Sequence, residues 1–91
     1  MTISAQISVY PLRQERLAQT IDTVLAALRR EHIEVRTGTM STLVRGEAPL
    51  VFAALRDGFE RAAAHGDVVM VVTVSNACPP GDREADGVGA L

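Results

Sequence analysis

An eight-residue stretch near the start of the chain constrains the fold more than any other. From Ile3 to Tyr10, apolar and polar side chains alternate without exception. The apolar set is Ile3, Ala5, Ile7 and Val9, and the polar set is Ser4, Gln6, Ser8 and Tyr10. A period of two with several β-branched residues predicts a β-strand. The polar set carries hydrogen-bonding groups but no charge, which is typical of a strand face that a ligand or a partner covers.

Two longer segments show helical periodicity, one from about Gln14 to Glu31 and one from about Ala48 to His65. Apolar residues three and four positions apart predict one buried stripe on each helix. The stripes consist of Leu17, Ile21, Val24, Leu25 and Leu28 on the first helix, and of Val51, Phe52, Leu55, Phe59, Ala62 and Ala63 on the second. Gly58 weakens the second helix, which indicates close packing on the sheet, and Gly66 is expected to end that helix.

Three further strands are predicted. Ile33 to Thr37 and the short Leu43 to Arg45 form a hairpin around a turn at 38–42, and Gly46 is expected to end it. Pro11 is expected to end the first strand, because proline cannot donate to a ladder. The last strand, Val68 to Asn76, begins with five residues that are apolar on both faces, which indicates that both faces are covered.

The resulting order of elements, βαββαβ, predicts an α+β ferredoxin-like sandwich with an antiparallel sheet in the order 4-1-3-2 and both helices on one face. The open face then contains the polar set of the first strand, with Thr73 and Ser75, beside Val69 and Val71. Such a face suits packing on a second copy of the chain. Residues 1–79 are expected to form this domain, and residues 80–91, which show no periodicity, a flexible tail.

Composition argues against several classes of protein. Nine basic and eleven acidic residues give a net charge of −2, so no footprint for nucleic acid or an anionic membrane is present. No apolar run approaches the roughly 20 residues of a membrane span, and the first residues do not resemble a signal peptide. The single cysteine, Cys78, excludes an internal disulfide and a paired-cysteine metal site. We therefore expect a cytoplasmic protein without a bound metal.

The residues of known catalytic constellations are missing. No Ser-His-Asp or Cys-His arrangement is apparent, and His32 and His65 lie at helix ends without an obvious partner. The segment after the first strand, Tyr10 to Arg13, also lacks the glycine-rich phosphate loop of an acylphosphatase. We expect no enzymatic activity and no cofactor.

Three segments together resemble the small thiamine-binding protein family. They are Ser4–Leu12, Gly38–Thr42 with the following Gly46, and Val71–Asn76, and the similarity extends over about residues 3–79. Thr39 departs from the family's pattern, in which a proline or similar residue precedes the methionine. This departure bears on the shape of the hairpin turn more than on the family assignment. The resemblance implies a ferredoxin-like fold that pairs through its sheet into dimers, often tetramers. It also implies binding of thiamine or a related pyrimidine without chemical conversion.

Thiamine presents an aminopyrimidine, a positively charged thiazolium and a hydroxyethyl arm. A pocket for it needs neutral donors and acceptors, an apolar surface for the rings and some negative potential. The amide of Gln6 provides both a donor and an acceptor. The residues expected to bind the ligand are Gln6, Ser8, Tyr10, Gly38, Met40, Ser41, Thr42, Ser75 and Asn76. Glu34, Glu47 and the backbone carbonyls near Gly38 are alternative partners for the thiazolium charge.

The sequence supports two functions. In the first, the protein is a carrier or sensor for thiamine or its pyrimidine precursor. In the second, it is an oligomeric interaction module without a functional ligand pocket. A cavity lined by Gln6 and Thr42 would favour the first, whereas a flush, dry interface would favour the second. Thr42 fits the role of an ordinary hairpin residue equally well. Ser75 and Asn76 fit equally well the role of residues that end the last strand.

Overall fold

The computed structural model describes residues 1–13, 15, 17–39 and 41–77. Four strands and two helices follow one another: β1 (Thr2–Leu12), α1 (Leu17–Leu28), β2 (Glu34–Thr37), β3 (Thr42–Glu47), α2 (Ala48–Ala63) and β4 (Asp67–Ser75). The strands form one antiparallel sheet in the order β2-β3-β1-β4, which is the predicted order read from the opposite edge. The ferredoxin-like architecture is therefore confirmed. The predicted tail, residues 80–91, lies outside the described residues.

The central strand β1 separates the core from the open face as its alternation predicts. Ile3, Ala5 and Ile7 are buried against the helices, whereas Ser4, Gln6 and Ser8 on the other face are half-buried. The expectation that Pro11 ends the strand is wrong, because β1 continues to Leu12 and Pro11 lies opposite Val68. Beyond Ile7 the strand pairs with β4 alone, so a residue without an N–H interrupts at most one ladder.

Both helices are rotated relative to their predicted stripes. In α1, Thr20, Val24, Ala27 and Leu28 are buried, whereas Leu17 and Ile21 are exposed. In α2, the buried residues are Val51, Ala54, Leu55, Gly58 and Ala62, whereas Phe52, Phe59 and Ala63 are exposed. The helices pack closely on each other through small residues, and a Cβ on Gly58 would lie 3.4 Å from Val24 and 3.6 Å from Ala27. Gly58 thus packs on α1 rather than on the sheet.

Gly46 does not end the hairpin but lies within β3, opposite Ile3 of β1. A Cβ at this position would come within 2.9 Å of the backbone carbonyl oxygen of His32. Glycine therefore allows the loop before β2 to approach the sheet closely. The second helix ends at Ala63, two residues before its predicted end, and Gly66 follows with a positive φ of 147°.

The two faces of β4 differ in exposure, although the sequence is apolar on both from Val68 to Val72. Val68, Met70 and Val72 pack against the core, whereas Val69 and Val71 are exposed on the open face. Val74 lies on the same face of β4 as these core-facing residues, and yet it is 41% exposed. The helices therefore cover the core side of β4 only as far as Val72.

Candidate ligand-binding site

A cleft with a volume of about 180 Å³ lies between α1 and the turn that joins β2 to β3. Its apolar lining comes from the middle of β1 and from one side of α1, namely Ile7, Val9, Ile21, Val24, Leu25 and Leu28. Its polar lining comes from the turn and the adjoining strand residues, namely Ser8, Thr37, Gly38, Thr39, Ser41 and Thr42. An apolar floor with a rim of neutral hydroxyl and backbone groups is typical of a small-molecule site.

The cleft exists because β3 begins well short of the end of β1. The ladder between β1 and β3 starts at Thr42, opposite Ile7, while β1 continues on towards Leu12 with β4 on its other side. The backbone edge of Ser8 and Val9 therefore borders the cleft instead of a neighbouring strand. Backbone groups on such an edge can bind the donor and acceptor edge of a ligand.

Thr37 and Thr42 bring two hydroxyls to the cleft. They lie opposite each other at the ends of β2 and β3, and Thr42 also lies opposite the buried Ile7. Because directly opposed residues of an antiparallel pair share a face, both threonines belong to the side that the helices cover. The Gly38 N–H closes the turn by donating to the carbonyl oxygen of Ser41 over 2.8 Å.

Gln6 lies on the opposite face of the sheet from Thr42. Its direct neighbours across the ladders are Leu43 and Thr73, and its side chain is half-buried. The Gln6 Nε2 donates a hydrogen bond to the Ser41 Oγ over 3.2 Å. Thr42 thus lines the cleft whereas Gln6 does not, and Gln6 contacts the rim of the cleft through Ser41.

The structure brings together one part of the predicted site. Ser8, Gly38, Ser41 and Thr42 line the cleft, and Gln6 adjoins it. Met40 lies outside the described residues. The three other predicted residues, Tyr10, Ser75 and Asn76, are not in the cleft lining.

Tyr10, Ser75 and Asn76 lie at three different places in the fold. Tyr10 lies opposite Val69 on the open face and is exposed. The Ser75 Oγ accepts a hydrogen bond from the Ala77 N–H over 3.0 Å, a contact that ends the strand. The Asn76 Nδ2 lies 3.7 Å from the Met1 Sδ, near the start of β1.

Sequence reasoning missed the contribution of α1. Ile21, Leu25 and the neighbouring apolar residues form the helical wall of the cleft, although their spacing indicates only a buried core stripe. Thr37 and Thr39 likewise look like ordinary hairpin residues in the sequence.

The lining of the cleft contains no charged residue among the described ones. Glu34 forms an ion pair with Arg45 over 2.8 Å. Glu47 contacts the N-terminal amine over 2.9 Å and accepts a hydrogen bond from the Thr2 Oγ1 over 2.7 Å. The bond from the N-terminal ammonium, followed by that from Thr2, lowers the pKa of the exposed Glu47 carboxyl. Both glutamates are thus engaged at the end of the hairpin away from the turn.

A second surface is apolar and exposed. Tyr10, Leu12, Val69 and Val71 lie on the open face of the sheet, where Tyr10 opposes Val69 and Ser8 opposes Val71. We call these four residues the open-face patch. A contiguous exposed apolar patch of this kind often marks an interaction surface.

Neither a metal centre nor a membrane-spanning helix is found in the part of the chain that the structure describes. Residues 1–13, 15, 17–39 and 41–77 contain no cluster of three or more His, Cys, Asp or Glu side chains placed to hold a metal ion. Within the same ranges, no helix has the length and apolarity needed to cross a membrane.

Several solved structures share the fold. A protein from Streptococcus pneumoniae is 22% identical with a TM-score of 0.81, and the match covers 94% of this chain and 99% of that one. A hypothetical protein from Methanocaldococcus jannaschii is 16% identical with a TM-score of 0.80, over 99% and 98% of the two chains. A candidate thiamine biosynthesis/salvage protein from Thermotoga maritima is 16% identical with a TM-score of 0.77, over 98% and 99%. At these identities the likeness establishes the fold alone.

At the level of sequence, none of the curated proteins matches the chain. The model of the YKOF-related family, however, matches residues 2–81, which is nearly the whole of the predicted domain. The chain therefore belongs to the YKOF-related family.

Proposed function

We propose that the protein binds the aminopyrimidine ring of thiamine, or of its pyrimidine precursor, in the cleft between α1 and the β2–β3 turn, without converting it chemically. The observation that carries this proposal is the size of the cleft together with its neutral rim. Its volume is about 180 Å³, whereas an apolar cavity of about 150 Å³ is sufficient to hold benzene. Pockets for whole drug-sized ligands usually begin at about 300 Å³. The cleft thus suits one six-membered ring.

The lining matches the chemistry of that ring. Apolar contacts from Ile7 and α1 suit its faces, and the hydroxyls of Thr37 and Thr42 can each donate to a ring nitrogen or accept from the amino group. The thiazolium of thiamine would extend past Thr39 and Ser41 at the rim. Of the three alternative partners for its charge, the carbonyls near Gly38 are the ones that adjoin the cleft. The thiamine-related description of the Thermotoga maritima protein supports this ligand class.

Calorimetric titration with thiamine and with the uncharged pyrimidine alcohol tests the proposal. Thr42→Val removes one hydroxyl at nearly constant volume. An unpaired buried ligand group should lower affinity by about 1–3 kcal/mol, or roughly 5- to 150-fold. Thr73→Val is the matched control, because Thr73 is exposed on the open face opposite Gln6. Absence of binding by the wild-type protein, or equal affinities for the two variants, would contradict the proposal.

The open-face patch favours a second function, a homo-oligomeric interaction module in which two open faces pack together. Tyr10 and Val69 lie opposite each other at its centre and are 53% and 45% exposed. If the faces pack, Tyr10→Ser should shift the protein towards the monomer in sedimentation velocity at micromolar concentration. If the unsubstituted protein is already a monomer, the oligomeric module is excluded. The proposal of ligand binding in the cleft is not affected by that result.

A further inference from the structure

The backbone groups of successive β1 residues point to opposite neighbouring strands. In an antiparallel ladder, only every second residue exchanges both N–H···O bonds with the residue opposite it. The Ala48 N–H donates to the Met1 carbonyl oxygen over 2.8 Å, directly beside the first pair of the ladder between β1 and β3. Met1, and with it every odd-numbered residue of β1 up to Ile7, therefore directs its N–H and C=O groups towards β3.

Two further observations agree with this assignment. Pro11 has no N–H, and as an odd-numbered residue it directs its backbone away from β4, so it removes no bond from the ladder with β4. At the hairpin turn, the Gly38 N–H donates to the Ser41 carbonyl oxygen over 2.8 Å. By the same alternation, the next residue, Thr42, directs its groups away from β2 and towards Ile7 of β1.

The next odd-numbered residue of β1, Val9, has no strand opposite it on that side. β3 begins at Thr42, opposite Ile7, and Val9 lines the cleft. Within residues 17–39 and 41–77, no turn or loop hydrogen bond reaches the Val9 backbone. The Val9 N–H and C=O therefore face the cleft side by side, whereas the backbone groups of Ser8 and Tyr10 face β4.

We propose that the Val9 backbone makes the cleft selective for a 4-aminopyrimidine over a 4-oxopyrimidine, a selection that rests on the proposed function. The Val9 N–H donates to the ring nitrogen beside the amino group, and the amino group donates to the Val9 carbonyl oxygen. The ring edge thus takes the place of an opposing strand residue, which would offer the same acceptor and donor. The second ring nitrogen and the second amino hydrogen remain for the threonine hydroxyls of the cleft.

The 4-oxo ring reverses this pattern. Its ring nitrogen carries a hydrogen and its exocyclic oxygen accepts, so in the same orientation two donors and two acceptors would face each other. Turning the ring over restores both bonds but exchanges the methyl group at C2 with the arm at C5. Since the cleft of about 180 Å³ holds one ring, the arm must leave through the mouth, which excludes the turned orientation. The hydroxyls of Thr37 and Thr42 do not select, because a hydroxyl donates or accepts as required.

Amide hydrogen exchange, followed by NMR, tests the free edge without any ligand. After correction for intrinsic rates, the Val9 N–H should exchange at least about 10-fold faster than those of Ser8 and Tyr10, because only the latter two are bonded to β4. Such a gap in the middle of the central strand is not expected if β1 is paired on both sides. A Val9 amide as well protected as its two neighbours would overturn the proposal.

Calorimetric titration with thiamine and with its 4-oxo analogue tests the selection. The analogue should bind at least about 100-fold more weakly, because a site built for one hydrogen-bonding pattern leaves its polar groups unpaired with the other. Thiamine should also slow the exchange of the Val9 amide. Equal affinities, or binding of thiamine without protection of Val9, would overturn the selection and leave the proposed function standing. Absence of binding by either compound would contradict the proposed function and the selection with it.

Val9→Pro, with Val9→Ala as its matched control, separates the backbone from the side chain. Both variants lose the valine side chain, but only proline loses the N–H, and Pro11 already occupies the same edge of β1. Val9→Pro should weaken thiamine binding roughly 5- to 150-fold and reduce the preference over the 4-oxo analogue. Val9→Ala should keep that preference.

The same preference in both variants would count against the role of the Val9 N–H and overturn the proposal. Circular dichroism establishes that the two variants fold. If Val9→Pro does not fold, the exchange and titration experiments on the unsubstituted protein decide the question.

Discussion

The Gln6 amide donates a hydrogen bond to the Ser41 hydroxyl over 3.2 Å and so joins the central strand to the β2–β3 turn, 35 residues further along the chain. The bond is partly buried and lies at the border between the open face and the cleft. The sequence predicts that Gln6 contacts the pyrimidine directly. That contact stays a prediction, and the bond to Ser41 shows in addition that Gln6 holds the turn which forms the rim of the cleft.

A double-mutant cycle measures this positioning role. Gln6→Ala and Ser41→Ala should each weaken pyrimidine binding by about 0.5–1.5 kcal/mol, or about 2- to 12-fold, because each removes the same bond. The double variant should lose about as much as either single variant, since residues that act through one contact are not additive. Calorimetric affinities of the four proteins decide this, and strictly additive losses would show that Gln6 acts on the ligand independently of Ser41.

The orientation of α2 can be checked with two leucines on the same helix. Leu55 is 8% exposed in the core, whereas Leu50 is 41% exposed. Leu55→Ala should lower the free energy of unfolding by about 2–5 kcal/mol, and Leu50→Ala by less than about 1 kcal/mol. Denaturant unfolding gives both values. Similar losses at the two positions would be inconsistent with the orientation of this helix.

Two glycines differ in what an added Cβ atom would meet: a backbone carbonyl at Gly46 and a side chain at Gly58. Gly46→Ala would place a Cβ 2.9 Å from a fixed backbone carbonyl, that of His32, and should cost about 1–3 kcal/mol of unfolding free energy. Gly58→Ala meets Val24 at an ordinary contact distance and gains up to about 1 kcal/mol of helix propensity. We expect Gly58→Ala to be neutral or stabilising in urea unfolding. The reverse ranking would refute the close approach of the His32 loop to β3.

Glu47 should contribute a pH dependence to stability. The N-terminal ammonium and Thr2 hold its pKa in the folded protein below the ordinary value of 4.5, which the unfolded chain retains. The contribution is therefore complete above about pH 4.5 and is lost as the pH falls through the lowered pKa of the folded state. Glu47→Gln should flatten the decline in melting temperature below pH 4.5, compared with Glu31→Gln at an exposed position. Parallel declines in the two variants would exclude this role.

The sequence alone determined the order of the elements and the inward face of β1. The alternation in β1, the apolar run in β4 and the three- and four-residue spacing in the helices are local patterns. Each needs only the covalent geometry of the chain to be interpreted. The identity of the inward residues Ile3, Ala5 and Ile7 follows from β1 by itself. Only the resemblance to a known family placed Gly38 to Thr42 in the predicted site, since the residues by themselves indicate a turn.

The rotation of the helices and the composition of the site were decided only by tertiary structure. The spacing of α1 is compatible with burial of Leu17 and Ile21, but in the packed structure the side with Thr20 and Ala27 is buried. The chain has no Asn-Gly or Asp-Gly pair in the hairpin turn that would fix its register. The register places Gln6 opposite Leu43 and Ile7 opposite Thr42. Since a shift of one residue exchanges the two faces of a strand, the separation of Gln6 from Thr42 could be known only once the strands had paired.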